Sequence, residues 1–91
     1  MYILITYDIS STKHRTKVAT LLEGYGVRVN YSVFELDIAK RELDALLNKI
    51  EALADKKDSI RIYRFSQDTI AKSFELLNGD APFAKDSGYV E

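Results

Sequence analysis

Apolar residues follow two different rhythms along this chain, and the switches between them outline its elements. Tyr2 to Ile9 is a nearly continuous apolar run rich in β-branched and aromatic residues, the pattern of a strand buried on both faces. Alternation places Ile3, Ile5 and Tyr7 on one face and Leu4, Thr6 and Asp8 on the other. Ser10, Ser11 and Thr12 supply helix N-cap candidates. Val18, Leu21, Leu22 and Tyr25 then recur at three- and four-residue spacing as one helical stripe, which Gly24 and Gly26 bring to a stop.

The second half repeats the switch. Val27 to Ile38 reads as two strand segments around Asn30, a tight hairpin or a bulged strand, with strong β character from Tyr31 to Leu36. The spacing of Leu43, Leu46, Leu47, Ile50, Leu53 and Ala54 predicts a helix over Ala39 to Asp55. After a Lys56-Lys57-Asp58 turn, Ser59 to Phe65 reads as a strand in which Ile60 and Ile62 alternate with Arg61 and Tyr63. The order β-α-β-β-α-β is the split βαβ pattern of an α+β, ferredoxin-like sandwich, an antiparallel sheet with two helices on one face. That arrangement leaves the other sheet face open, and a homodimer through it is the simplest cover. Residues 1–77 read as this domain. Residues 78–91 read as a C-terminal tail that contacts the partner subunit, after a further short strand at Lys72 to Leu77. Asn78-Gly79-Asp80 reads as a turn, and Ala81 to Glu91 as loose chain.

Composition narrows the chemistry. The chain has no cysteine and one histidine, His14, which removes disulfides, thiol nucleophiles, Cys-type zinc and any multi-histidine metal site within one chain. The opening run is too short to span a membrane and has no basic segment ahead of it, so a cytoplasmic protein with no membrane partner is expected. The net charge of −1 argues neither for nor against nucleic acid. Its distribution is uneven: residues 1–31 hold four bases (Lys13, Arg15, Lys17, Arg28) against two acids, and the rest hold nine against twelve.

Two features carry candidate chemistry. Asp8 ends an apolar strand, where a lone carboxylate must be paired, used as a cap or bound to a metal; the local residues leave pairing with Arg15 and metal binding equally open. Lys13, Arg15 and Lys17 open the first helix, an end whose dipole favours acids. A solvated helix start is the ordinary reading of such a cluster, and phosphate binding the functional one. His14 could serve as a general base, but an exposed residue without catalytic duty is the favoured reading. Tyr7, Tyr31, Phe34 and Tyr63 could stack on bases, but strand aromatics more commonly serve core or interface, and here the interface is expected. Glu35 could be a second metal ligand, but alternation puts it on the face opposite Phe34, and a surface role or a salt bridge suits it better.

The string YDIS at Tyr7 to Ser10, the helix start KHRTKVATLLEGYG, the run VRVNYSVFEL from Val27 to Leu36 and IRIYRF from Ile60 to Phe65 resemble the CRISPR-associated spacer-acquisition family that partners the CRISPR integrase. The resemblance covers about residues 1–77. It implies that Asp8 is the catalytic and metal-binding residue of an Mg²⁺-dependent endonuclease, with the ion shared between two subunits. It implies nucleic-acid contacts by Lys13, Arg15, Lys17 and Arg28, with Tyr7 and Phe34 as interface or site-supporting residues. Asn30 stands where that family commonly has glutamine. The implied partners are a second copy of the chain, RNA or duplex DNA, and integrase subunits. Two functions remain open: a phosphodiester hydrolase, and a non-catalytic DNA-binding scaffold for the integrase. A toxin-type ribonuclease of the same fold is a third, less favoured by the SVFE string.

Overall fold

The computed structural model describes residues 1–84, so the end of the tail, from residue 85 on, lies outside the described residues. The elements run β1 (Tyr2–Asp8), α1 (Thr12–Glu23), β2 (Val27–Asn30), β3 (Val33–Asp37), α2 (Lys40–Leu53), β4 (Ser59–Phe65) and α3 (Gln67–Ala71). The strands form one sheet in the order β2-β3-β1-β4, with every neighbouring pair antiparallel. β1 is therefore central, with Ile5 opposite both Phe34 of β3 and Ile62 of β4.

The core lies on one sheet face only. Ile3, Ile5 and Tyr7 of β1 and Phe34 and Leu36 of β3 pack with Val18, Ala19 and Leu22 of α1 and Leu43, Leu46 and Ile50 of α2. Leu21 and Tyr25 border that cluster instead of entering it. Leu4 and Thr6 are half-buried and Asp8 is exposed, so within one chain β1 is not buried on both faces. The two long helices, α1 and α2, both lie against the Ile3, Ile5, Tyr7 side. Each fully buried aliphatic or aromatic side chain here contributes about 1.5–3 kcal/mol of transfer free energy.

Local signals explain the element ends. The Ser11 hydroxyl accepts from the His14 N–H at 3.2 Å and caps α1. At α2 the Glu42 carboxylate reaches back to the Ala39 N–H at 3.1 Å. The Asp55 N–H is held by the Asp58 carboxylate at 2.8 Å across the turn into β4. The β2–β3 hairpin turns through Tyr31 and Ser32, and its register slips between Arg28 and Asn30, so both the hairpin and the bulge are present.

The chain beyond β4 departs from expectation. Lys72 to Leu77 forms no strand; the short helix α3 precedes it, capped by the Ser66 hydroxyl on the Thr69 N–H at 3.1 Å. A turn follows in which Gly79 has φ 82° and the Asn78 side chain accepts from the Asp80 N–H. The Pro82–Phe83 end is not loose but docks on the open sheet face. The Phe83 ring meets Tyr2 and Phe65 edge-on, at centroid distances of 5.5 and 6.0 Å. The Phe83 N–H donates to the Glu35 carboxylate at 2.7 Å, which is the surface role that residue takes. These contacts hold Phe83 at φ 61°, a left-handed backbone that costs roughly 1–2 kcal/mol for a residue with a Cβ.

Gly26 sits where α1 returns to the sheet. A Cβ there would lie 2.8 Å from Leu36 Cγ and overlap the Glu35 carbonyl oxygen. Because that oxygen belongs to strand backbone, Gly26→Ala should destabilise the fold by roughly 1–3 kcal/mol, read as a lower urea midpoint with unchanged slope.

Candidate functional site

Asp8 closes β1 opposite Ser59 of β4. Strand alternation gives it the open-face side, with Leu4 and Thr6. Its carboxylate makes no ion pair or hydrogen bond among the described residues, and it is exposed. The expected structural partner, Arg15, is occupied elsewhere. Its Nη1 donates to the Ile9 carbonyl at 2.9 Å and its Nη2 to Thr12 Oγ1 at 3.1 Å. Arg15 thus braces the loop that leaves Asp8 and does not neutralise it.

Arg28 plays a matching part on the hairpin. Its Nε and Nη2 both donate to the Tyr31 carbonyl, at 3.1 and 2.5 Å, and Nη1 lies 3.6 Å from Glu23 Oε2. The guanidinium carbon sits 5.5 Å from the Phe34 ring centroid and 5.6 Å from that of Tyr31, while that of Arg15 is 5.9 Å from the Tyr31 ring. The two arginines therefore converge on Tyr31. The Tyr7 N–H donates to the Ser32 carbonyl at 3.2 Å, which ties the hairpin turn to the end of β1 beside Asp8.

Tyr7 and Phe34 support this corner from below. Phe34 is fully buried and Tyr7 nearly so, with their rings 6.3 Å apart and roughly parallel. Buried in the chain's own core, these two rings have no free face for a base or a second subunit. Tyr31 and Tyr63 remain exposed. Burial raises the Tyr7 phenol above its ordinary pKa, partly offset by the nearby positive charge of Arg28 and Arg15.

Lys13 and Lys17, four residues apart, share one exposed side of α1 and have no partner among the described residues. His14 is half-buried, not exposed, and its Nδ1 is enclosed without a hydrogen-bond partner. Sequence reasoning found the arginines but not their anchors, the carbonyls of Ile9 and Tyr31. Backbone acceptors leave no mark in residue type.

The site is a strand end and not a cleft. One surface groove runs between β2–β3 and the tail and another between α2 and β4, and neither is lined by Asp8. Among the described residues no group of three or more His, Cys, Asp or Glu side chains is placed to hold a metal. One exposed carboxylate per chain suits Mg²⁺, which binds through one or two carboxylates and keeps several waters. It fits such an ion only if a further carboxylate or a phosphate completes the set. No helix among the described residues is long and apolar enough to cross a membrane.

Comparison with known proteins places this arrangement. The family model described as CRISPR associated protein Cas2 matches residues 1–73. The CRISPR-associated endoribonuclease Cas2 3 of Chloroflexus aurantiacus is 47% identical over 68 residues, covering 74% of this chain and 73% of that protein. Cas2 of Streptococcus pyogenes, solved at pH 6.5, superposes with TM-score 0.74 at 32% identity, over 84% of this chain and 99% of that one. A chain of a partial Cas6-RT-Cas1–Cas2 complex superposes with TM-score 0.66 at 36% identity, over 91% and 96% of the two chains. This small α+β protein, with its four-stranded antiparallel sheet, therefore has its relatives among CRISPR-associated proteins. The chain belongs to the Cas2 family.

The raised phenol of Tyr7 has a measurable consequence. Its neutral form is favoured in the folded state, so its contribution is complete below the ordinary tyrosine pKa near 10 and is lost as pH rises through the higher folded value. Stability of the wild type should fall more steeply than that of Tyr7→Phe above about pH 10. Paired urea titrations between neutral and alkaline pH measure that difference.

Proposed function

We propose that this chain is a CRISPR-associated endoribonuclease that acts as a homodimer, with Asp8 of each subunit at its centre. The observation that carries the reading is the exposed, unpartnered Asp8 carboxylate at the end of the central strand. Nothing among the described residues neutralises it, while two arginines hold the loops on either side in place. Relatives named as endoribonucleases supply the reaction class and RNA as substrate.

Dimerisation through the open face, in the ferredoxin-like manner, is supported by the character of that face. Beyond the end that Phe83 covers, it presents Leu4 and Tyr63, and Tyr63 is 41% exposed. A two-fold axis near the Asp8 end would bring two carboxylates together, which one chain cannot do alone. Mg²⁺ is the cofactor we propose for that pair. When bound, it would supply polarisation of the scissile phosphate and a more acidic water. In the reaction a water oxygen forms a bond to phosphorus as one ester P–O bond breaks. The strand is left with one phosphomonoester and one hydroxyl end. Asp8 serves as the metal's carboxylate ligand. Lys13 and Lys17 attract the phosphate backbone, and the charges of Arg15 and Arg28 add to the local positive potential.

A second reading has its own support. A similar chain occurs in a solved Cas6-RT-Cas1–Cas2 assembly, and the free cations of α1 suit duplex phosphates as well as RNA. In that reading the dimer is a non-catalytic scaffold that holds DNA against Cas1-type integrase subunits.

Asp8→Asn decides between them. It should abolish Mg²⁺-dependent RNA cleavage while the molecular mass in solution and the melting temperature stay unchanged, as followed by gel assay, light scattering and thermal unfolding. Cleavage that survives in Asp8→Asn overturns the catalytic assignment. If no metal supports cleavage by the wild type, and Asp8→Ala binds duplex DNA with undiminished salt sensitivity, the scaffold reading holds.

A further inference from the structure

Tyr31 is a largely exposed aromatic on the hairpin beside the end of β1, and neither function proposed above uses its ring. It stands at the tip of the β2–β3 turn and remains 65% exposed although two guanidiniums approach it. Its backbone is held unusually well for a turn residue. The N–H donates to the Asn30 side chain at 2.7 Å, and the carbonyl accepts from Arg28 and, at 3.5 Å, from the Tyr7 hydroxyl. The Tyr31 hydroxyl makes no hydrogen bond among the described residues. The ring is thus an exposed aromatic surface on a firmly held backbone, and its polar tip has no bonded partner among the described residues.

Charge and position complete the argument. Arg15 and Arg28 approach over the ring, with their cationic carbons 5.9 and 5.6 Å from its centroid, and most of the residue still faces solvent. An aromatic face adjoining fixed positive charge suits a nucleotide, whose base stacks while its phosphate meets the cations. The turn is joined to the strand end by the Tyr7-to-Ser32 bond, one residue from Asp8 along β1 and one residue from Tyr31 along the hairpin. Arg28 and Phe34 lie on the helix side of the sheet, so a second subunit laid on the open face would leave this corner uncovered. A base needs an unpaired edge of chain to reach such a ring, and a continuous duplex keeps its bases stacked inside.

We infer that Tyr31 is a stacking platform for an unpaired nucleobase of single-stranded RNA, flanked by Arg15 and Arg28 and next to the strand end that carries Asp8. This deepens the nuclease reading above and rests on it for the choice of RNA. Tyr31 would confer a preference for single strands that is tolerant of sequence, since every base offers a π face.

The test reads binding alone, so it stands apart from whether cleavage occurs. The full-length protein, in chelator, is titrated with a short single-stranded oligoribonucleotide bearing a fluorescent purine analogue, and in parallel with the matched RNA duplex. The wild type should bind the single strand and quench the analogue. Tyr31→Phe should behave like the wild type. Tyr31→Leu should weaken single-strand binding by roughly 5- to 100-fold and relieve the quenching, while duplex binding holds. Circular dichroism should report the same fold for all three. Unchanged single-strand affinity in Tyr31→Leu overturns the inference, as does an equal loss for duplex and single strand. Failure of the wild type to bind or quench the single strand overturns it too. A protein that quenches through Tyr31 yet cleaves nothing with any metal would retain the platform and lose the nuclease reading.

Discussion

Everything in this molecule hangs on the double pairing of β1. Because β3 and β4 flank it on both sides, its backbone groups are satisfied along most of its length and its register is fixed at both edges. Fixed register places Ile3, Ile5 and Tyr7 under the helices and leaves Asp8 at the far end on the other side. A one-residue slip would drive Leu4, Thr6 and Asp8 into the core and expose three large side chains, an exchange costing many kcal/mol at about 1.5–3 per side chain. The location of the carboxylate is thus enforced by hydrophobic burial several residues away, with no bond to the carboxylate itself.

The arginines illustrate a second economy. In a small domain without a deep cleft, loops near a site must be held by polar bonds, because few apolar contacts reach them. Arg15 and Arg28 do this by taking backbone carbonyls at Ile9 and Tyr31, where a guanidinium can satisfy an acceptor and keep its full charge. Each side chain therefore acts on geometry and on electric field at once. A lysine in either place would keep the field but lose the fork.

How far the sequence alone could be read follows from what kind of force set each feature. The sheet and both long helices were legible because burial has a period: two along β1, near 3.6 along α2, whose stripe Leu43, Leu46 and Ile50 is the buried one. Asp8 was legible as a polar residue at the end of an apolar run. What stayed hidden depended on contacts distant in sequence. Phe83 docks on Tyr2 and Phe65, and no local pattern around Ala81 to Ala84 announces it. The Lys72 to Leu77 stretch has strand-like composition, yet Phe74, Leu76 and Leu77 stay largely exposed and unpaired. Tyr7 and Phe34, read as interface aromatics, are core because alternation puts them on the helix side. The period was visible, but the face it served was not.

The docked Phe83 gives the open sheet face a direction. One end is sealed by an aromatic cluster of Tyr2, Phe65 and Phe83 and pinned through Glu35, while the end that carries Asp8 has no such cover among the described residues. Large uncovered apolar sheet surfaces invite indiscriminate association. By covering one end of that face, Phe83 reduces the apolar area left to solvent. It does so with an aromatic ring and a backbone N–H, without adding charge to the face.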